Sequence, residues 1–275
     1  MPIIIISSDS AQAAEKIAAS TAKVLDYQCI GSELLSDIAT PYKLPADKLA
    51  EALGVSKSSW RLMRPKRRAQ LLACIEAEVL DRLRTDNVVC WELGAHLYVQ
   101  GVSHALKVRL LIDEEQHAKE VARQRNISVK KATKWLQGEM RKKEQWSQSA
   151  YGQNELDPAM YDLVINLGNI DPDEAVRTIS GAVAYRKFKP MTYSIKNLEG
   201  NAMAAKVKAK LLETMSDVRV QARDGRVVVT SKALKREKRK KAAAIKEIAG
   251  QVEGVEFVEV HLINYVIREA AESFR

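Results

Sequence analysis

The chain is poor in the features that would assign it to several large protein classes. It has three cysteines in 275 residues, Cys29, Cys74 and Cys90, odd in number and with no Cys-x-x-Cys pair. That pattern argues against a disulfide framework or a metal site and reads as buried or free thiols in a reducing compartment. No apolar run approaches the roughly 20 residues of a membrane span. The N-terminus has neither a basic region nor a small-residue cleavage site, so no signal peptide is expected and the expected location is the cytoplasm. A further absence is local. Residues 1–27, MPIIIISSDSAQAAEKIAASTAKVLDY, contain no glycine.

That stretch is nevertheless strongly patterned. Four isoleucines bounded by Ser7-Ser8-Asp9-Ser10 read as a buried, parallel strand, and Ser or Asp before the Ala-rich segment 11–25 are good helix caps. Strand, turn and helix in this order would put a phosphate at the helix N-terminus, where backbone N–H groups are unpaired. The chain is 46% apolar, enough for a sizeable core, and its net charge of +9 favours anionic partners.

Further along, strands are expected at 27–30, 87–91, 105–112 and 161–166. One or two helices fall within 31–53, punctuated by Pro41 and Pro45, with a loop at 56–59. Longer helices are expected at 69–84, 114–126, 128–148 and 175–184. Strands alternating with helices over about the first 185 residues give an α/β fold, a parallel sheet with helices on both faces. The basic stretch 185–192, with Pro190, marks a boundary, so the units are 1–185, a linker 186–200, and 201–275. The last unit reads as helix 202–214, strands 218–222 and 226–230 joined by the turn Arg223-Asp224-Gly225, basic helix 234–251, and strand 256–263. A short helix closes the chain. This is a small α+β (αββαβ) module.

The residues Leu83–Cys90, Leu93-Gly-Ala-His96, Val102–Arg109, Trp146, Tyr151-Gly152 and Asp157–Asn166 resemble the cytidylate-kinase-like family of P-loop proteins over about residues 1–185. Residues 202–263, with Asp224-Gly225 and Gly254-Val255, resemble a BON domain. The first resemblance implies transfer of phosphate from ATP, with Mg, to a nucleoside monophosphate. That chemistry needs backbone N–H groups around the donor phosphates, a loop lysine, and arginines from a lid.

Set against that pattern, Ser8, Ser10, Ala13, Ala14, Glu15 and Lys16 occupy the phosphate-loop positions in degenerate form. Alanine Cβ atoms hinder the close approach that glycine allows. Glu15 stands where the lysine belongs, and an anion about 4 Å from phosphate costs on the order of 4 kcal/mol at an effective dielectric of 20. Lys16 is rotated roughly 100° away along the helix. The lid is eroded too: Asp113-Glu-Glu-Gln-His117 replaces an Asp-x-x-x-Arg run, and Arg141, Lys142 and Lys143 precede Trp146. If the chain is active, Lys16, Asp113, Arg141 and Lys143 are its catalytic residues. Glu33, His96 and Arg109 are the substrate-binding candidates, and no metal ligand is expected. His96 is alternatively a satisfied histidine at a strand end, and Asp113 a helix cap. Trp135 and Trp146 either stack bases or pack their helix on the core.

Lys235-Arg236-Glu237-Lys238-Arg239-Lys240-Lys241 carries six positive charges in seven positions, with Lys206, Lys208, Lys210, Arg219, Arg223, Arg226 and Lys232 in the same unit. It reads either as a contact for nucleic acid or lipid headgroups or as a solvated helix face, and no aromatic residue interleaves with the run. The expectation is a non-catalytic, pseudokinase-type protein acting in regulation or scaffolding through nucleotide, anionic-surface or protein contacts. The alternatives are an active nucleoside monophosphate kinase and a nucleic-acid-binding protein led by the basic C-terminal half.

Overall fold

The computed structural model describes residues 2–40, 42, 44–55, 60–85 and 87–264. The expected loop at 56–59 and the expected terminal helix lie outside them. The chain runs β1 (Ile3–Ser8), α1 (Ala11–Leu25), β2 (Gln28–Ile30), α2 (Leu34–Ala39), α3 (Ala46–Ala52), α4 (Pro65–Leu83), β3 (Val88–Trp91), α5 (Ala95–Tyr98) and β4 (Ala105–Leu111). It continues with α6 (Glu114–Arg125), α7 (Val129–Tyr151), β5 (Leu163–Asn166), α8 (Pro172–Ala182), α9 (Thr192–Thr214), β6 (Val218–Arg223), β7 (Arg226–Ala233), α10 (Lys238–Gly250) and β8 (Phe257–Asn264).

The first five strands form one parallel sheet in the order β2-β3-β1-β4-β5. The isoleucine run makes β1 its centre because it can be buried on both faces. Ile4 and Ile6 pack with Ala14, Ile17 and Ile179 of α1 and α8, whereas Ile3 and Ile5 pack with Leu71, Ile75 and Leu80 of α4. All four side chains are fully buried, each contributing about 1.5–3 kcal/mol relative to exposure. With β3 on one side of β1 and β4 on the other, the carboxyl ends of these strands open into one crevice, the usual ligand position in such sheets.

The second sheet is three-stranded and mixed, with β7 antiparallel to β6 and parallel to β8. Together with α9 and α10 it completes the αββαβ order. Its strands alternate: Val218, Val220, Val227, Val229, Val258 and Val260 enter the core with α9 and α10.

One element departs from expectation. Helix α9 starts at Thr192, ten residues before the expected Ala202, so much of the stretch 186–200 expected as a linker is helical. The polar residues that disguise it have partners across the join. Ser194 Oγ lies 2.6 Å from His104 Nδ1, Asn197 Nδ2 donates to the Gly101 carbonyl at 2.8 Å, and Asn201 Nδ2 donates to the Gln100 carbonyl at 3.0 Å. Beyond them α9 lies along α4, with Lys206 on Asp81 at 2.6 Å and Lys208 on Glu76 at 3.1 Å. Those two lysines, expected on a basic surface, are therefore part of the join. Gly200 permits the close packing, since a Cβ there would stand 2.4 Å from the Ala222 carbonyl oxygen.

Candidate functional site

The crevice at the end of β1 is built around a very short turn. Only Asp9 and Ser10 separate β1 from α1. Ser10 caps the helix by accepting the Ala13 N–H at 3.4 Å, while the buried Ser8 hydroxyl accepts the Ser10 N–H at 3.2 Å and donates to the Leu110 carbonyl at 3.2 Å. Ala13 and Ala14 thus lie in the first helical turn, and no residue from 8 to 16 has a positive φ. The segment aligned with a phosphate-wrapping loop is helix. Ala14 faces the core, and Glu15 and Lys16 are both exposed.

The cations of the crevice are already engaged. Arg109, 3% exposed on β4, donates from Nη1 to the Ser7 hydroxyl at 2.9 Å and from Nη2 to the Asp9 carboxylate. Lys143, on α7, donates to the Ser8 carbonyl at 3.0 Å and lies 3.8 Å from Glu92. It thereby ties α7 to the ends of β1 and β3. Glu92, Leu93 and Gly94 follow β3 with φ of 59°, 57° and 72°. For Glu92 and Leu93 this left-handed backbone costs on the order of 1–2 kcal/mol each. The Ala95 N–H closes the turn on the Glu92 carbonyl at 3.2 Å, which sets His96 at the wall of a small cavity of about 50 Å³ shared with Ser7, Lys143 and Glu155.

His96 is buried, 3.9 Å from the Glu155 carboxylate, with its ring 5.3 Å from that of Tyr161. Neither ring nitrogen has a hydrogen-bond partner among the described residues. Its pKa is pulled down to about 3, chiefly by burial and then by Arg109, Lys143 and Lys107, so the ring is neutral at pH 7. Burial raises the Glu155 carboxyl. A larger cavity, about 260 Å³, opens between the α6–α7 hairpin and the end of β4, lined by Asp9, Leu111, His117, Leu136, Met140 and Lys143.

The expected site residues divide accordingly. Ser8, Ser10, His96, Arg109 and Lys143 converge on the crevice. Arg141 is exposed on α7, and Asp113 caps α6 by accepting the Gln116 N–H at 2.8 Å. Glu33 accepts the Gly31 N–H at 2.6 Å beside the edge strand β2. Trp146 packs its helix on the core, with Nε1 donating to the Ala52 carbonyl at 2.7 Å, and Trp135 lies under Arg125 at 3.8 Å. Lys235 to Lys241 lie beyond the end of β7, in a short turn and the first residues of α10. Sequence reasoning missed Asp9, Glu92 and Glu155. Asp9 was legible only as a turn residue, and its pairing with Arg109 becomes visible once Ser7 and Arg109 are known to be in register.

Among curated proteins, no sequence matches the chain. Among solved structures, an uncharacterized protein from Eubacterium ventriosum ATCC 27560 is similar in fold, with TM-score 0.51 and 15% identity over 66% of this chain and 97% of its own. Shikimate kinase from Bacteroides thetaiotaomicron matches at TM-score 0.42 and 9% identity, covering 67% of this chain and 99% of its own. Dephospho-CoA kinase from Campylobacter jejuni matches at 0.35 and 14%, covering 66% and 96%. The last two scores are too low to bear on the assignment. What decides it is the family model described as the cytidylate kinase-like family, which matches residues 3–169. That span runs from the first residue of β1 past the end of β5 and takes in every wall of the crevice, and the chain belongs to the cytidylate kinase-like family.

Proposed function

We propose that the chain is a non-catalytic, cytoplasmic member of this family. In this reading residues 1–185 form a kinase-like unit with a degenerate phosphate loop, and residues 201–275 form a BON-like module acting in regulation or scaffolding. The observation that carries the reading is Asp9. Phosphate transfer requires donors and cations free to follow the charge of the moving group. Here the guanidinium of Arg109 is held by a carboxylate of the chain itself, Lys143 is held by the Ser8 carbonyl, and the Ser10 and Ala13 N–H groups are taken by serine hydroxyls.

A phosphate brought beside Asp9 meets a like charge, on the order of 4 kcal/mol at about 4 Å and an effective dielectric of 20. The residues present also do not fit a magnesium–triphosphate group. The Ser8 and Ser10 hydroxyls are engaged in the turn, and the one carboxylate at the end of β1, Asp9, is paired with Arg109. The BON-like reading of the second unit is supported by its αββαβ order, by Asp224-Gly225 in left-handed backbone at the hairpin, and by Gly254, also left-handed, before β8.

The test is a phosphotransfer assay with ATP, CMP and Mg²⁺, run beside thermal melts with each nucleotide. The expected result is no turnover and no rise in melting temperature, since a ligand that binds only the folded state must raise stability. Turnover that Asp113→Ala abolishes and Glu15→Lys increases would establish an active nucleoside monophosphate kinase instead.

A further inference from the structure

We infer that the outer face of the second sheet is a binding platform for single-stranded nucleic acid. The strand register makes the face. Arg223, Arg226 and Phe257 stand in one cross-strand row; Gln221, Val228 and Glu259 in the next; then Arg219, Thr230 and His261; then Lys232 and Ile263. The intervening residues of each strand point the other way, into the core under α9 and α10. Four cations, an aromatic ring and an imidazole therefore share one surface, and both helices of the module pack on the opposite side.

The chemistry of the face selects the partner. Phe257 is 53% exposed on β8, with the Arg226 guanidinium 4.9 Å from its ring centre. Tyr193, at the start of α9, is 60% exposed with Arg223 5.9 Å from its ring. Exposed rings flanked by guanidiniums offer flat surfaces for unpaired bases and charge for the phosphates between them. The cations run along β7 from Arg226 to Lys232, about 20 Å at the usual rise per residue, and continue into Lys235 and Arg236 just beyond the strand. The carboxylates nearby sit on exposed side chains: Glu259 pairs with His261 at 3.0 Å and with Arg226 at 3.5 Å, Asp224 pairs with Lys196 at 2.8 Å and with Arg223 at 3.7 Å, and Asp217 lies 3.5 Å from Lys232. Such pairs are weak and exchange readily for phosphate. Exposed rings stack directly on bases that are already unpaired, whereas a duplex must first be unstacked before it can use them. This inference rests on the C-terminal unit being a binding module, but not on whether the kinase-like unit is catalytic.

The experiment uses the full chain and fluorescence anisotropy with mixed-sequence 20-nucleotide RNA and DNA single strands. The same sequences as duplexes and anionic phosphatidylglycerol vesicles serve as competitors. Single strands are expected to bind tighter than duplex or vesicles. Phe257→Ala weakens them about tenfold or more with the salt dependence retained. Arg226→Ala lowers the slope of log affinity against log salt by about 0.7, the share of a single phosphate. Both side chains are exposed, and unchanged melting temperatures show that the variants remain folded. Absence of binding at low salt overturns the inference, as does binding insensitive to Phe257→Ala, or vesicle or duplex binding as tight as that of single strands. Phosphate transfer by a chain that still binds single strands refutes the proposed lapse of catalysis and leaves this surface standing.

Discussion

The crevice of the first sheet and the outer face of the second both gather cations, and they treat them in opposite ways. Arg109 is buried and held by Asp9 and Ser7, and Lys143 is tied to the Ser8 carbonyl. Arg223, Arg226 and Lys232 have exposed side chains, with their carboxylate neighbours at 3.5–3.7 Å. A count of positive charge does not separate the two regions. What separates them is whether the charge is already satisfied, and a satisfied charge in the interior is structural before it is functional.

The sharpest way to break this contrast is to free the buried cation. Asp9→Ala leaves Arg109 buried without its counter-ion, and the expected loss is about 3 kcal/mol of unfolding free energy by urea titration. Inorganic phosphate at millimolar concentration should restore part of that loss in the variant and none in the parent. A variant as stable as the parent would show that Asp9 does not hold the site closed.

The next effect concerns His96. Its folded-state pKa near 3 lies below the ordinary value of 6.5, so the unfolded chain takes up a proton that the folded chain refuses. Stability from this group is complete above about pH 6.5 and is lost as pH falls toward 3, with a slope of up to about 1.4 kcal/mol per pH unit. Glu155, raised by burial, acts with the opposite sign, because the folded state retains its proton above the unfolded pKa. Comparing parent with His96→Gln at each pH cancels most of that term. The parent's stability relative to the variant is expected to fall by about 2 kcal/mol between pH 6.5 and pH 5; a constant difference would mean that the ring is already solvated.

A third test loads the join between the regions. Gly200→Ala forces α9 off β6 and should destabilise the protein by about 2 kcal/mol, read as a drop in melting temperature. The smallest expected effect is at Glu15. Because it is exposed on α1, Glu15→Lys should change stability by no more than about 0.5 kcal/mol, and in a non-catalytic chain it confers no phosphotransfer.

The parts of the fold that were legible in the sequence are those with a simple period. The isoleucine run, the amphipathic α4 and the alternating β6–β7 hairpin each carry their burial pattern within a few residues. The start of α9 was not legible, because Ser194, Asn197 and Asn201 look like linker residues until the carbonyls and the imidazole they meet are known. At the site, Arg109 and His96 could be singled out by residue type and place. Their partners Asp9 and Glu155 are distant in sequence and come together only through the strand register and the loop after α7. The outer face of the second sheet was likewise hidden: its aromatic residue sits on β8 and its arginines on β6 and β7, so no contiguous run combines them.

The packing of α9 along α4 bears on how the molecule comes apart. One apolar cluster contains Leu71 and Leu80 of α4, Leu198 and Leu211 of α9, and Val227 and Ile245 of the second unit. A cut between residues 185 and 200 would uncover the α4 face of that cluster, so neither piece keeps its full interior. Heat or denaturant should therefore melt both sheets in a single cooperative transition, and a nucleic acid held on the second sheet would raise the melting point of the first.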